Sequence, residues 1–97
     1  MYEVTVRNRF AAAHSLVDYQ GPCNRLHGHT WYVEVSVCGN ELNRLGMLID
    51  FNELKKLLNS VIEQLDHQNL NLLEPFADGK GINPTAENLA KYIFDNL

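Results

Sequence analysis

Cysteine is scarce in this chain, with Cys23 and Cys38 the only two in 97 residues. Two thiols cannot build a multi-bridge framework. With Cys38 on an even position of an alternating run and Cys23 in a loop, both are expected to be reduced, as in the cytosol. Basic side chains are also few: 8 against 12 acidic ones leave a net charge of −4. That balance excludes the basic stripe of a nucleic-acid binder. No apolar run approaches membrane-spanning length. The start, Met1-Tyr2-Glu3-Val4, has no basic region leading into an apolar one, so no leader and a cytoplasmic location are expected, with no membrane partner. Repeats, low-complexity tracts and linkers are missing too, which predicts a single domain over residues 1–97. A domain this short buries a limited core, and oligomerisation is a natural way to bury more.

What the chain does have is a dense group of metal-ligating residues. Cys23-Asn24-Arg25-Leu26-His27-Gly28-His29 packs a thiol and two imidazoles into seven residues. The run from His27 to Val37 alternates, and its odd positions read His27, His29, Trp31, Val33, Val35 and Val37. Residues two apart on a strand share a face, so both imidazoles sit at the rim of an apolar surface. Gly28 between them leaves room for a ligand or a backbone on the other face. A lone H-x-H pair is more often a pair of surface or satisfied core histidines, and a third ligand decides the matter. In the preceding run, Tyr2, Val4, Val6, Phe10, Ala12 and His14 fall on even positions, interrupted by Asn8. If the runs pair as an antiparallel hairpin through the Ser15–Leu26 loop, His14 lands beside His27 and His29.

Three neutral imidazoles suit zinc and leave a fourth position open, the pattern of a catalytic site. Cys23 could close that position as a fourth ligand. Its spacing favours instead a free thiol whose pKa is lowered by a nearby cation.

Tyr2–His14 and His27–Cys38 therefore read as strands, although Ala11-Ala12-Ala13 are weak strand formers. Asp50-Phe51-Asn52-Glu53 fits a capping box opening a helix. Phe51, Leu54, Leu57, Leu58, Val61, Ile62 and Leu65 then form an apolar stripe at helical spacing. Asp50 could touch substrate instead, but capping is the simpler role. After the helix come Asp66 and His67, a carboxylate beside an imidazole. They suit acid–base work, or His67 merely meets the exposed carbonyls of the helix end. A loop with Pro75, Gly79, Gly81 and Pro84 leads to a second helix, with Ala86, Leu89, Ala90, Ile93 and Leu97 as its stripe.

Taken in order, Phe10-Ala11-Ala12-Ala13-His14, Cys23-x-x-x-His27-Gly28-His29, Asp50-Phe51, Leu65-Asp66-His67 and Asn83-Pro84-Thr85-x-Glu87-Asn88-Leu89 resemble the motif series of the 6-pyruvoyl-tetrahydropterin synthase family. The short gap from Cys23 to His27 is similar to the bacterial branch, the 6-carboxy-tetrahydropterin synthases of the queuosine pathway.

The resemblance implies an α+β T-fold, an antiparallel sheet with two helices packed on one face, ordered strand, strand, helix, helix, strand, strand. It implies Zn2+ held by His14, His27 and His29, a catalytic group of Cys23, Asp66 and His67, and pterin contacts at Thr85 and Glu87. It further implies a homo-oligomer, trimer or hexamer, and a small-molecule substrate, dihydroneopterin triphosphate. Arg7, Arg9, Arg25 and Lys80 are candidates for the phosphates. The chain ends at Leu97, so the family's C-terminal strand pair, with its pterin-anchoring glutamate, is expected to be absent. Two classes of function stay open: a zinc-dependent pterin lyase, in the carboxy or pyruvoyl branch, and a non-catalytic zinc-binding remnant. A zinc hydrolase is disfavoured, because no H-E-x-x-H arrangement occurs.

Overall fold

Alternation of apolar and polar residues builds the hairpin at the centre of the molecule. In the computed structural model, which describes residues 1–77 and 81–97, β1 (Tyr2–His14) and β2 (His27–Gly39) pair antiparallel along their whole length. Tyr2 faces Gly39 at one end and His14 faces His27 at the other. Even positions of β1 and odd positions of β2 consequently share one face. Val6, Phe10 and Ala12 are buried there, with Trp31, Val33, Val35 and Val37 packed against the core. The other face is polar: the Thr5 and Ser36 hydroxyls lie 2.8 Å apart, and Arg7 Nε donates to Glu34 Oε1 at 2.6 Å. Asn8, the polar interruption on the inner face, donates from Nδ2 to Oδ1 of Asn59 at 2.6 Å.

α1 (Phe51–Leu65) starts at Asp50, whose carboxylate accepts the Asn52 amide at 2.8 Å. That bond falls one residue earlier than a capping box would place it. Leu54, Leu58, Val61, Ile62 and Leu65 are buried, as expected. Phe51 and Leu57 are not, at 54% and 47% exposure. Leu57 lies roughly 60° round the helix from Leu54, at the margin of the apolar sector.

The sheet is mixed and not wholly antiparallel as expected. β3 (Gln68–Asn69) runs parallel to β1, giving the order β2-β1-β3, so that a short strand separates the two helices. A 3-10 turn over Leu70–Leu72 and the loop beyond it bury Leu70 and Phe76. α2 (Ala86–Asp95) is capped by Thr85, whose hydroxyl accepts the Asn88 amide at 3.1 Å. Of its expected stripe only Leu89 and Ile93 are buried. Ala86, Ala90 and Leu97 instead line a groove of about 380 Å³ between α2 and β2. Among the described residues no helix is long and apolar enough to cross a membrane.

Leu58 is 1% exposed and Leu57 47%, which separates two adjacent leucines cleanly. Leu58→Ala should cost about 2–5 kcal/mol in chemical denaturation, and Leu57→Ala about 0.5 kcal/mol or less. Equal losses would show that α1 packs by another face.

Candidate metal centre

The hairpin register carries His14 and His27 to directly opposed positions and sets His29 opposite Ala12, on the same face. The three imidazoles consequently converge: each offers a ring nitrogen, and these atoms lie within 4.8 Å of one another. Ring centroids are 4.6 Å apart for His14–His27 and for His27–His29, and 5.1 Å for His14–His29. His14 is buried, His27 half-buried and His29 exposed, so the cluster opens outward from the core. Trp31, next on the same face, meets His14 and His29 edge-on at 4.9 and 5.3 Å and donates its indole N–H to the Ala12 carbonyl at 3.3 Å.

Two main-chain carbonyls fix the rings. His14 Nδ1 lies 2.7 Å from the Pro84 carbonyl, and His27 Nδ1 lies 2.7 Å from that of Arg25. A carbonyl only accepts, so each Nδ1 must carry its proton. In the neutral imidazole Nε2 is then left as a bare lone pair. A carbonyl on one ring nitrogen and a free second nitrogen is the arrangement that metal-ligating histidines adopt. Burial, reinforced by the neighbouring His27 and His29, pushes His14 below its ordinary pKa, against the opposing pull of the Pro84 carbonyl. The donor set therefore fits a zinc ion: three neutral nitrogen ligands, two already oriented, with an open side. With His14 lowered, the unfolded chain binds the extra proton first. Stability of the metal-free fold falls as pH drops below about 6.5, the ordinary histidine value.

Cys23 sits outside this cluster, exposed on the 3-10 turn Pro22–Asn24 of the β1–β2 loop. Its carbonyl accepts the Leu16 amide at 2.9 Å. Cys38 is also free and exposed, and its thiol donates to Glu3 Oε2 at 3.4 Å, an anionic neighbour that raises its pKa.

Asp66 and His67 form the pair that their adjacency only suggested, with His67 Nδ1 3.0 Å from Asp66 Oδ2. The backbone makes this possible. Asp66 ends α1, and His67 adopts a left-handed φ of 60° that turns the chain into β3. A non-glycine residue rarely takes that conformation, and holding one costs about 1 kcal/mol or more. Ala11 of β1 supplies the restraint: its amide donates to Asp66 Oδ1 at 2.9 Å, and its carbonyl accepts the His67 amide at 2.6 Å. His67 opens onto a shallow depression on the outer face of the sheet, shared with Ala11, Ala13, Gly28, His29 and Thr30. A Cβ added at Gly28 would meet nothing within 4 Å, so that glycine leaves the depression clear.

Of the remaining candidates, Thr85 spends its hydroxyl on the helix cap, and Glu87 is exposed in the first turn of α2. Arg7 is paired with Glu34, Arg9 lies opposite Tyr32, and Arg25 lends its carbonyl to His27. Lys80 lies outside the described residues. The groups that the sequence did not reveal are mainly main-chain: the Pro84 and Arg25 carbonyls and both polar groups of Ala11. Trp31 alone left a signal, as the next odd position after His29.

Fold and cluster together define a class, α+β proteins with a three-histidine cluster that could hold a metal. The family model described as 6-pyruvoyl tetrahydropterin synthase matches residues 3–97. The chain belongs to that family, and its fold is the T-fold. It is 39% identical over 98 residues to the 6-carboxy-5,6,7,8-tetrahydropterin synthase of Bacillus subtilis, covering 99% of this chain and 65% of that enzyme. It is also 39% identical over 108 residues to the 6-pyruvoyl tetrahydrobiopterin synthase of Drosophila melanogaster, covering 97% of this chain and 62% of that one. Among solved structures it is similar to Caenorhabditis elegans 6-pyruvoyl tetrahydropterin synthase, with a TM-score of 0.78 at 31% identity over 99% of this chain and 77% of that one. The chain thus spans somewhat under two thirds of the length of the Bacillus and Drosophila enzymes.

The Asp66 carboxyl is held below its ordinary range, first by the Ala11 amide and then by His67. Its contribution to stability is present above about pH 3.9 and is lost as pH falls through the lowered value. His67→Ala should leave Asp66 titrating below the ordinary value, because the Ala11 amide is the larger cause. An NMR titration in which the carboxyl returns fully to about 3.9 would contradict that ranking.

Proposed function

We propose that the chain is a zinc-dependent lyase that converts 7,8-dihydroneopterin triphosphate to 6-carboxy-5,6,7,8-tetrahydropterin, with loss of triphosphate and acetaldehyde. The observation that carries this reading is the preorganised cluster of His14, His27 and His29, whose ring nitrogens lie within 4.8 Å of one another with two rings oriented by carbonyls. Zinc bound there would supply Lewis acidity to the hydroxylated side chain of the substrate, making its C–H and O–H protons easier to remove.

The chain's own residues would then handle the protons. Cys23, exposed on the loop that leads into His27, serves as the thiolate base on one side. His67, its Nδ1 fixed by Asp66, presents Nε2 as the second acid–base group. Asp66 is ionised at neutral pH, as a partner for a transient imidazolium must be. Glu87, an exposed carboxylate at the start of α2, and Thr85 beside it are the proposed pterin contacts. The half-exposed inner face of β2 supports a role as one subunit of a trimer or hexamer.

Relatives named for both products support two readings of the chemistry. The carboxy product is favoured by the Bacillus enzyme and by the spacing from Cys23 to His27. The pyruvoyl product is the reading that the Drosophila and Caenorhabditis relatives support.

Incubating the zinc-loaded chain with dihydroneopterin triphosphate separates the possibilities. Acetaldehyde together with a carboxy-pterin is the expected result. A pyruvoyl-pterin without acetaldehyde would move the chain to the other branch, and no product despite bound zinc would make it a zinc-binding protein only. Cys23→Ala should lower turnover by roughly 10²–10⁴-fold while leaving the zinc content unchanged. Unaltered turnover would remove Cys23 from its proposed role.

A further inference from the structure

β1 ends at His14, but the backbone that follows it is not left unpaired. Over residues 15–17 side chains take the place of a strand neighbour. Asn71, in the 3-10 turn, accepts the Ser15 amide at Oδ1 (2.8 Å) and donates from Nδ2 to the Ser15 carbonyl (3.0 Å). Asn83, just before α2, does the same to Val17, accepting its amide at 2.8 Å and donating to its carbonyl at 3.0 Å. Between these two clasps, Leu16 gives its amide to the Cys23 carbonyl at 2.9 Å. Five of the six backbone polar groups of residues 15–17 therefore have identified partners, although no strand pairs with them. A carboxamide sets an N–H donor group beside a carbonyl acceptor, so it can bond both the amide and the carbonyl of one residue as a strand neighbour does.

What the clasped segment joins gives it a purpose. It starts next to His14, and its middle residue holds the turn that bears Cys23. Asn83 is itself anchored, its carbonyl accepting the Thr85 amide at 2.9 Å and Asn88 Nδ2 at 2.9 Å. Its neighbour Pro84 supplies the carbonyl that orients His14. The side chain of Asn83, its carbonyl and the carbonyl of Pro84 thus connect the thiol loop, the start of α2 and the deepest imidazole.

We infer that Asn71 and Asn83 are positioning residues that set the Cys23 loop in register with the three-histidine cluster. Their link to catalysis rests on the function proposed above, but the clasps can be read without turnover. In zinc-loaded Asn83→Leu, similar in shape but without donor or acceptor, the Leu16 amide should exchange about tenfold faster or more, although Asn83 does not touch it. Exchange at Leu58 in the core should stay unchanged. Asn71→Leu should loosen the same amide, and Asn83→Ala and Asn71→Ala provide the same reading if a leucine variant folds poorly. Cobalt substituted for zinc should bind Asn83→Leu about tenfold more weakly and with an altered visible spectrum, because Pro84 is no longer anchored. Where the wild-type chain turns over pterin, kcat should fall while KM holds.

Unchanged Leu16 exchange and an unchanged cobalt spectrum would overturn the inference. So would a loss of protection shared equally by Leu58, which would reduce the asparagines to general stability. Absence of turnover in the wild-type chain would count against the proposed function alone, since exchange and cobalt binding still decide the clasps.

Discussion

The register of one hairpin is the constraint on which the rest of this molecule depends. β1 and β2 pair so that His14 opposes His27 and Ala12 opposes His29, and the pleat sends the three imidazoles to the core side of the sheet. A shift of one residue in either strand would turn its histidines and its valines to opposite faces. The same apolar packing that fixes the register, Val6 and Phe10 against Trp31, Val33 and Val35, therefore assembles the three-histidine cluster. Core and site are specified by a single pattern.

Around that pattern the main chain does much of the electrostatic work. Carbonyls of Pro84 and Arg25 select the tautomer of two ring systems, and burial keeps the deepest ring uncharged. On the far edge of β1, the two polar groups of Ala11 restrain Asp66 and His67, one of them in a backbone conformation it would not adopt alone. Further along that edge, carboxamides replace a strand at Ser15 and Val17. That edge, from Ala11 through the residues after β1 to Val17, holds the Asp66–His67 pair and the Cys23 turn, while the three imidazoles stand on β1 and β2.

Much of this was legible in the sequence, for a physical reason. Alternation at period two declared both strands nearly to the residue, and with them the convergence of His14, His27 and His29. The stripe of α1 and the cap at Asp50 are local signals and lie where local reading places them. What escaped depends on pairs distant in sequence or on main-chain atoms that no residue type advertises. Asn83 with Val17 and Pro84 with His14 are such pairs. So are β3, which the loop composition concealed, and the exposure of Phe51 and Leu57, which the helical period alone could not assign. Adjacency of Asp66 and His67 was plain, but the left-handed turn that makes them a pair was not.

X-ray absorption at the zinc edge of the metal-loaded chain tests the central claim most directly. Three imidazoles with an open fourth position require one zinc per chain in a shell of nitrogen and oxygen, at about 2.0–2.1 Å and without sulfur. A sulfur ligand at about 2.3 Å would make Cys23 part of a closed structural site, and failure to hold stoichiometric zinc would remove the cluster from the chemistry altogether.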